Sequence, residues 1–135
     1  MSLFEPSNSP WTGRMLAVFR IVAGLLFISF GTMKVFGYPH SDMTPPFHPL
    51  TQIGIGGLLE TFGGLAIVLG LLTRPVAFIL AGEMAVAYFQ FHAPSSFFPS
   101  VNMGTPAVLY CFFFLYLAFA GAPVWSVDAL IARRK

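Results

Sequence analysis

Residues 50–72 carry a dozen Leu, Ile, Val and Phe side chains and a single charge, Glu60. At ~1.5 Å per residue this run is long enough, as a helix, to cross a hydrocarbon core of ~30 Å. Each of those apolar side chains favours insertion by roughly 0.3–0.6 kcal/mol, against a cost of about 2.5–3.5 kcal/mol for a central acid. The segment can therefore insert while carrying its carboxylate. At helical spacing Gly56, Gly57, Glu60, Gly63 and Gly64 fall on one face, so a neighbouring backbone could approach the acid closely. What Glu60 then needs is a partner inside a bundle.

Composition agrees with a chain built for lipid: 56% of it is hydrophobic and only 9% charged, where soluble domains carry about a quarter. Three further apolar segments, at about 14–36, 75–92 and 106–121, are separated by polar punctuation. The expected fold class is all-α, a four-transmembrane-helix bundle, with residues 1–13 as a tail, 14–122 as the membrane domain and 123–135 as a basic tail. Five basic residues, Arg14, Arg74, Arg133, Arg134 and Lys135, fall on one side of such a bundle and Lys34 on the other, which predicts cytoplasmic N and C termini. The first thirteen residues hold Glu5 and no basic residue, unlike the start of a secretory signal, so the first apolar segment is expected to remain in the mature protein. A net charge of +2, with no basic amphipathic surface, does not suggest nucleic acid. The partners expected are membrane lipid, other membrane or redox proteins, or a second copy of the chain as a homo-oligomer.

The buried charges are the candidate site. Arg20, Gly24, Phe27, Gly31 and Lys34 recur at four-three spacing and share one face of the first helix. Leu80, Glu83, Ala87 and Gln90 share one face of the third. Arg20 lies roughly 9 Å and Glu83 roughly 13 Å from the cytoplasmic end, depths close enough for an ion pair, while Glu60, at roughly 20 Å, falls between Arg20 and Lys34. Such a set admits two readings: charges that cancel pairwise and set helix register, or a polar pocket in which an acid takes or gives a proton to a bound head group.

Other constellations are weaker. His40, Asp42, His48 and His92 are of metal-ligating types, but no compact ligand spacing joins them, so no metal site is expected. His92, before Ala93-Pro94, reads as a cap or as a donor at a pocket mouth, with Asn102 nearby. Cys111, the only cysteine, sits in an apolar run and is expected to pack in the core. Tyr110 and Phe112 to Phe114, with Tyr116, could line a quinone or lipid site, or meet lipid and one another.

The sequence resembles the DoxX family of small four-helix membrane proteins from Arg14 to Leu130. Five stretches carry the likeness: Arg20 and Gly24 with Gly31-Thr32-Met33-Lys34; Gly57-Leu58-Leu59-Glu60 with Gly63-Gly64; Leu72-Thr73-Arg74-Pro75 running on to Gly82-Glu83-Met84-Ala85; His92-Ala93-Pro94; and Asn102-Met103-Gly104, then Ala107 to Phe112 and Trp125-Ser126-Val127-Asp128. A Gly-Glu pair frequent in that family before the last helix is replaced here by Gly104-Thr105-Pro106, so no acid is carried over to that loop. The resemblance implies an inner (cytoplasmic) membrane, multi-pass protein, associated in some members with quinone-linked oxidoreductases and in others with partner enzymes for sulfur or oxidative-stress chemistry, while some members of related families resemble membrane chaperones or cargo receptors. The leading expectation is an accessory subunit of a quinone-linked redox system. Glu60 and Glu83 would be its catalytic acids, with Arg20, Lys34, His92 and Asn102 completing the polar network. No bound cofactor is indicated, only a diffusible quinone. The competing expectation is a non-enzymatic scaffold or chaperone that docks partner proteins through its glycine faces.

Overall fold

The computed structural model describes residues 6–134. Glu5 and Lys135, on which the signal and orientation expectations partly rest, lie outside them. Every regular element among the described residues is helical. Helix α1 spans Trp11–Phe36, three residues earlier than expected, and opens with the Arg14 guanidinium stacked 4.7 Å from the Trp11 ring centroid. It ends where Gly37 turns left-handed, at φ 68°, and returns its N–H to the Thr32 carbonyl. Helix α2 runs Gln52–Leu69. Thr51 caps its start by accepting from the Gly54 N–H at 3.1 Å, and Gly70, at φ 66°, closes it. Within α2 the turn Leu59–Gly63 is π-helical.

Helix α3 spans Thr73–Ala87, with Pro75 in its first turn, and continues through a second π turn, Tyr88–His92. The short helix α4, Pro99–Asn102, lies in the loop beyond it. Helix α5 spans Thr105–Ala120, and α6, Val127–Ala132, is capped by Ser126 accepting from the Ala129 N–H at 3.0 Å. Helices α1 and α2 are long and apolar enough to cross a membrane, and α5 is a shorter apolar helix.

The helices pack as two antiparallel pairs. Between α1 and α2 the interface is made of small residues: a Cβ on Gly31 would stand 2.5 Å from the Thr61 backbone nitrogen, and one on Gly64 2.7 Å from Ile28. Those distances exclude any side chain, and they let the two backbones touch. Between α3 and α5, Ala77, Leu80 and Ala81 meet Ala107, Phe114 and Leu117. Phe27 joins the pairs, its ring 4.8 Å edge-on to Phe114 and 5.1 Å from Tyr110. Polarity runs inside out. Arg20 and Glu60 are buried while Leu25, Leu26, Phe78, Phe89, Phe112 and Phe119 are exposed, the distribution a hydrocarbon solvent selects.

Candidate functional site

The inward glycines of α2 serve two neighbours. Gly57 and Gly64 contact α1, whereas Gly63 meets Leu80 of α3 and Gly56 faces Glu83. Glu60 stands between these two sets, in the π turn. A π turn inserts an extra residue and rotates the remainder of the helix about its axis, a device that recurs where a side chain must be aimed.

Glu60 is 3% exposed, and both its oxygens accept from the Lys34 ammonium, at 2.6 and 2.7 Å. Lys34 is the last-turn base of α1, and its side chain keeps 30% of its exposure. Glu83 reaches the same place from α3: its Oε1 lies 3.2 Å from where a Gly56 Cβ would be, and its buried Oε2 has no hydrogen-bond partner. One ammonium thus faces two carboxyl groups. A buried carboxylate oxygen without a partner is costly, so the cluster favours a hydrogen-bond donor at Glu83.

These three residues form one wall of a cavity of about 580 Å³, whose apolar side includes Phe27, Phe30 and Tyr110. His92 and Met103 close its loop end. The His92 Nδ1–H donates to the Asn102 carbonyl at 3.0 Å. Asn102 itself is buried away from the cavity lining: its amide donates to Ser96 O at 2.8 Å and to Tyr88 Oη at 3.2 Å, and its Oδ1 accepts from the Gly104 N–H at 2.8 Å. Asn102 therefore clasps the loop that positions His92, and is not itself a lining group.

Arg20 departs from the expected network. It makes no ion pair with Glu83. Its guanidinium, fully buried, donates to Ile67 O and Val68 O at 2.6 and 2.7 Å and to Trp125 O at 2.7 Å. A helix ends with carbonyls that lack partners, and a cation there satisfies both the lone pairs and the dipole. Arg20 thus closes α2 and ties down the C-terminal segment. Asp128 completes that end by accepting from Leu72 N–H at 2.8 Å and Thr73 N–H at 2.9 Å, which caps α3 from outside its own helix. Burial opposes its ionisation, but those hydrogen bonds and the nearby Arg20 charge hold its carboxyl below the usual range.

Asp128 falls outside the expected set, and Tyr110 is the one member of the aromatic run that lines the cavity. Asp128 lies beyond the last apolar segment, although Ser126-Val127-Asp128 is itself a cap-rich string. Of the other four aromatics in the Tyr110 run, Phe113 and Phe114 are core, and Phe112 and Tyr116 are exposed. His40 and Asp42 form an exposed pair at 3.0 Å, and among the described residues no three His, Cys, Asp or Glu side chains gather as a metal would require.

A family model described as DoxX matches residues 15–93. An uncharacterized protein of Haemophilus influenzae is 41% identical over 118 residues, covering 84% of this chain and 87% of that one. The inner membrane protein YqjF of Escherichia coli is 34% identical over 126 residues, covering 87% of this chain and 92% of its own. No solved structure gives a significant match.

Proposed function

The chain belongs to the DoxX family of membrane proteins, and from that premise we propose that it is a four-span inner-membrane protein that binds a quinone-type head group for a quinone-linked redox system. The spans are α1, α2, α3 with its π-helical extension, and α5. Arg14, Arg74 and Arg133 gather at the end of the bundle where Gly13 meets Val124 and Gly70 meets Ser126, and this basic end is assigned to the cytoplasm. The loops holding His40 and Asn102 then face outward.

The observation that carries the reading is the unpartnered Oε2 of Glu83 beside the Lys34–Glu60 pair, at the wall of an apolar cavity. Ligand pockets combine an apolar lining with a few convergent polar groups. Lys34 donates and Glu83 accepts, so together they fit a ring bearing a carbonyl in one state and a hydroxyl in the other. The quinone supplies the two-electron chemistry, with electrons exchanged with a partner enzyme. The chain supplies a dry aromatic slot, orientation by Lys34, and a proton-accepting oxygen at Glu83. The scaffold reading, through glycine faces, loses ground because Gly24, Gly31, Gly57 and Gly64 are already occupied between α1 and α2.

Binding of a tail-less benzoquinone to purified protein tests the proposal. Glu83→Gln should weaken it about tenfold, the effect of one hydrogen bond to a charged group, with the melting temperature in detergent unchanged. Equal affinity for wild type and variant, or no measurable binding by wild type, would reject it.

A further inference from the structure

Helices α2 and α3 do not stay in contact along their length. At Gly63 they are tight, since a Cβ there would stand 2.9 Å from Leu80 Cδ2. Toward the loop end they separate: Gly56 meets only the Glu83 carboxylate, and a Cβ on Gly82 would have nothing within 4 Å. Beyond that gap the two helices are bridged again, where the Gln52 amide donates to Gln90 Oε1. The result is a window, bounded by the Gly63–Leu80 contact below and the glutamine bridge above, with Glu83 behind it.

Between those two bounds the sides of the window are apolar and reach the outer surface. Ile55, Ile79 and Val86 line the cavity and are each about half exposed, at 49%, 55% and 49%. The cavity wall is thus continuous with the surface that lipid covers. The Glu60 and Glu83 carboxyls lie deep and Ile55, Ile79 and Val86 at the opening, which is the polarity of a ligand with a hydrogen-bonding head and a hydrocarbon tail.

We propose that the window between α2 and α3, framed by Gly56 and Gly82, is the lateral entrance from the bilayer, and that the isoprenoid tail of a long-chain quinone lies in it while the head occupies the cavity. This rests on the quinone reading and names which members of that ligand class the site takes. A cavity of about 580 Å³ suits one drug-sized group. A head with many isoprene units exceeds it, so the tail must leave, and the apolar gap is where it can do so without crossing a polar loop.

The test compares two probes, a tail-less benzoquinone and the same head carrying several isoprene units, on the purified protein in detergent. Wild type should bind the long-chain probe more tightly. Gly82→Trp, which projects a ring into empty space, and Ile79→Trp, from the neighbouring rim position, should each weaken the long-chain probe about tenfold, the loss of roughly two buried methylenes. Both should leave the tail-less probe within about twofold, less than half a kcal/mol by the same conversion. Phe78→Trp, exposed and outside the cavity lining, should change neither, and melting temperatures identify any variant that misfolds. Unchanged long-chain affinity in both window variants would overturn the entrance while leaving the head-group site standing. Equal loss of both probes would place Gly82 against the head and overturn the tail assignment. Failure of wild type to bind either probe would remove the quinone reading itself, and the entrance with it. Competition of the long-chain probe by phospholipid, with the tail-less probe binding normally, would assign the window to lipid acyl chains instead.

Discussion

The Lys34–Glu60 pair is unequal in its two halves, and that inequality makes a prediction. Glu60 is nearly inaccessible while Lys34 keeps a route to the loop end. Lys34→Met leaves a carboxylate buried without a cation and should cost about 3–5 kcal/mol. Glu60→Gln frees a base that can turn toward water, so a smaller loss, about 1–2 kcal/mol, is expected after allowing for that exposure. The double variant should recover stability relative to Lys34→Met alone, and chemical unfolding in detergent measures all three. Equal single-variant costs would mean that the ammonium is as trapped as the acid. Glu83 differs from Glu60 in having no base of its own, which is why its replacement is predicted to change binding rather than folding.

At the level of elements, two contacts hold the helices in place, and each is open to substitution. Gly31→Leu inserts a side chain where only 2.5 Å separates an added Cβ from the Thr61 backbone, so α1 and α2 must part, at a cost of roughly 1–3 kcal/mol. Asp128 caps α3, and Asp128→Ala should cost about 0.5–2 kcal/mol, as losing a helix N-cap does. Its contribution also carries a pH signature. Because the folded carboxyl titrates below its ordinary value, the stabilisation is complete above the unfolded value of ~3.9 and fades as pH falls through the lower folded one. Wild type should thus lose stability on acidification in that window, and Asp128→Asn should lose less over the same range. A variant with the same acid profile as wild type would show that the cap carries no charge dependence. The two π turns belong to this scale as well. Nothing in Leu59–Gly63 or Tyr88–His92 distinguishes them from α-helix by composition, because a π turn is decided by how neighbouring helices press on the chain.

For the molecule as a whole, the basic end and the loop end make the topology testable by labelling. In a Cys111→Ser background, Met43→Cys, in the exposed loop after α1, should react with an impermeant maleimide in intact cells. Arg133→Cys should react only after lysis. The reverse pattern would invert the assignment drawn from the Lys and Arg distribution.

Much of the architecture is readable from residue order. The span of α2 comes from its dozen apolar side chains, and the buried face of α1, with Arg20, Gly24, Phe27 and Gly31, from four-three spacing, since each depends on neighbours along one helix. The identity of each charge's partner is not readable in that way. Depth along a helix puts Arg20 beside Glu83, but depth is one coordinate of three, and the guanidinium turns instead to the carbonyls at the end of α2. Hydropathy and helical period determined by themselves that this chain would be apolar outside and carry its acids inward, because those quantities are local sums over the sequence. Only the packing of α1, α2 and α3 decided that Lys34 would answer Glu60, that Glu83 would be left with an open oxygen, and that a gap would lie at Gly82. Those facts are distances between residues far apart in the chain.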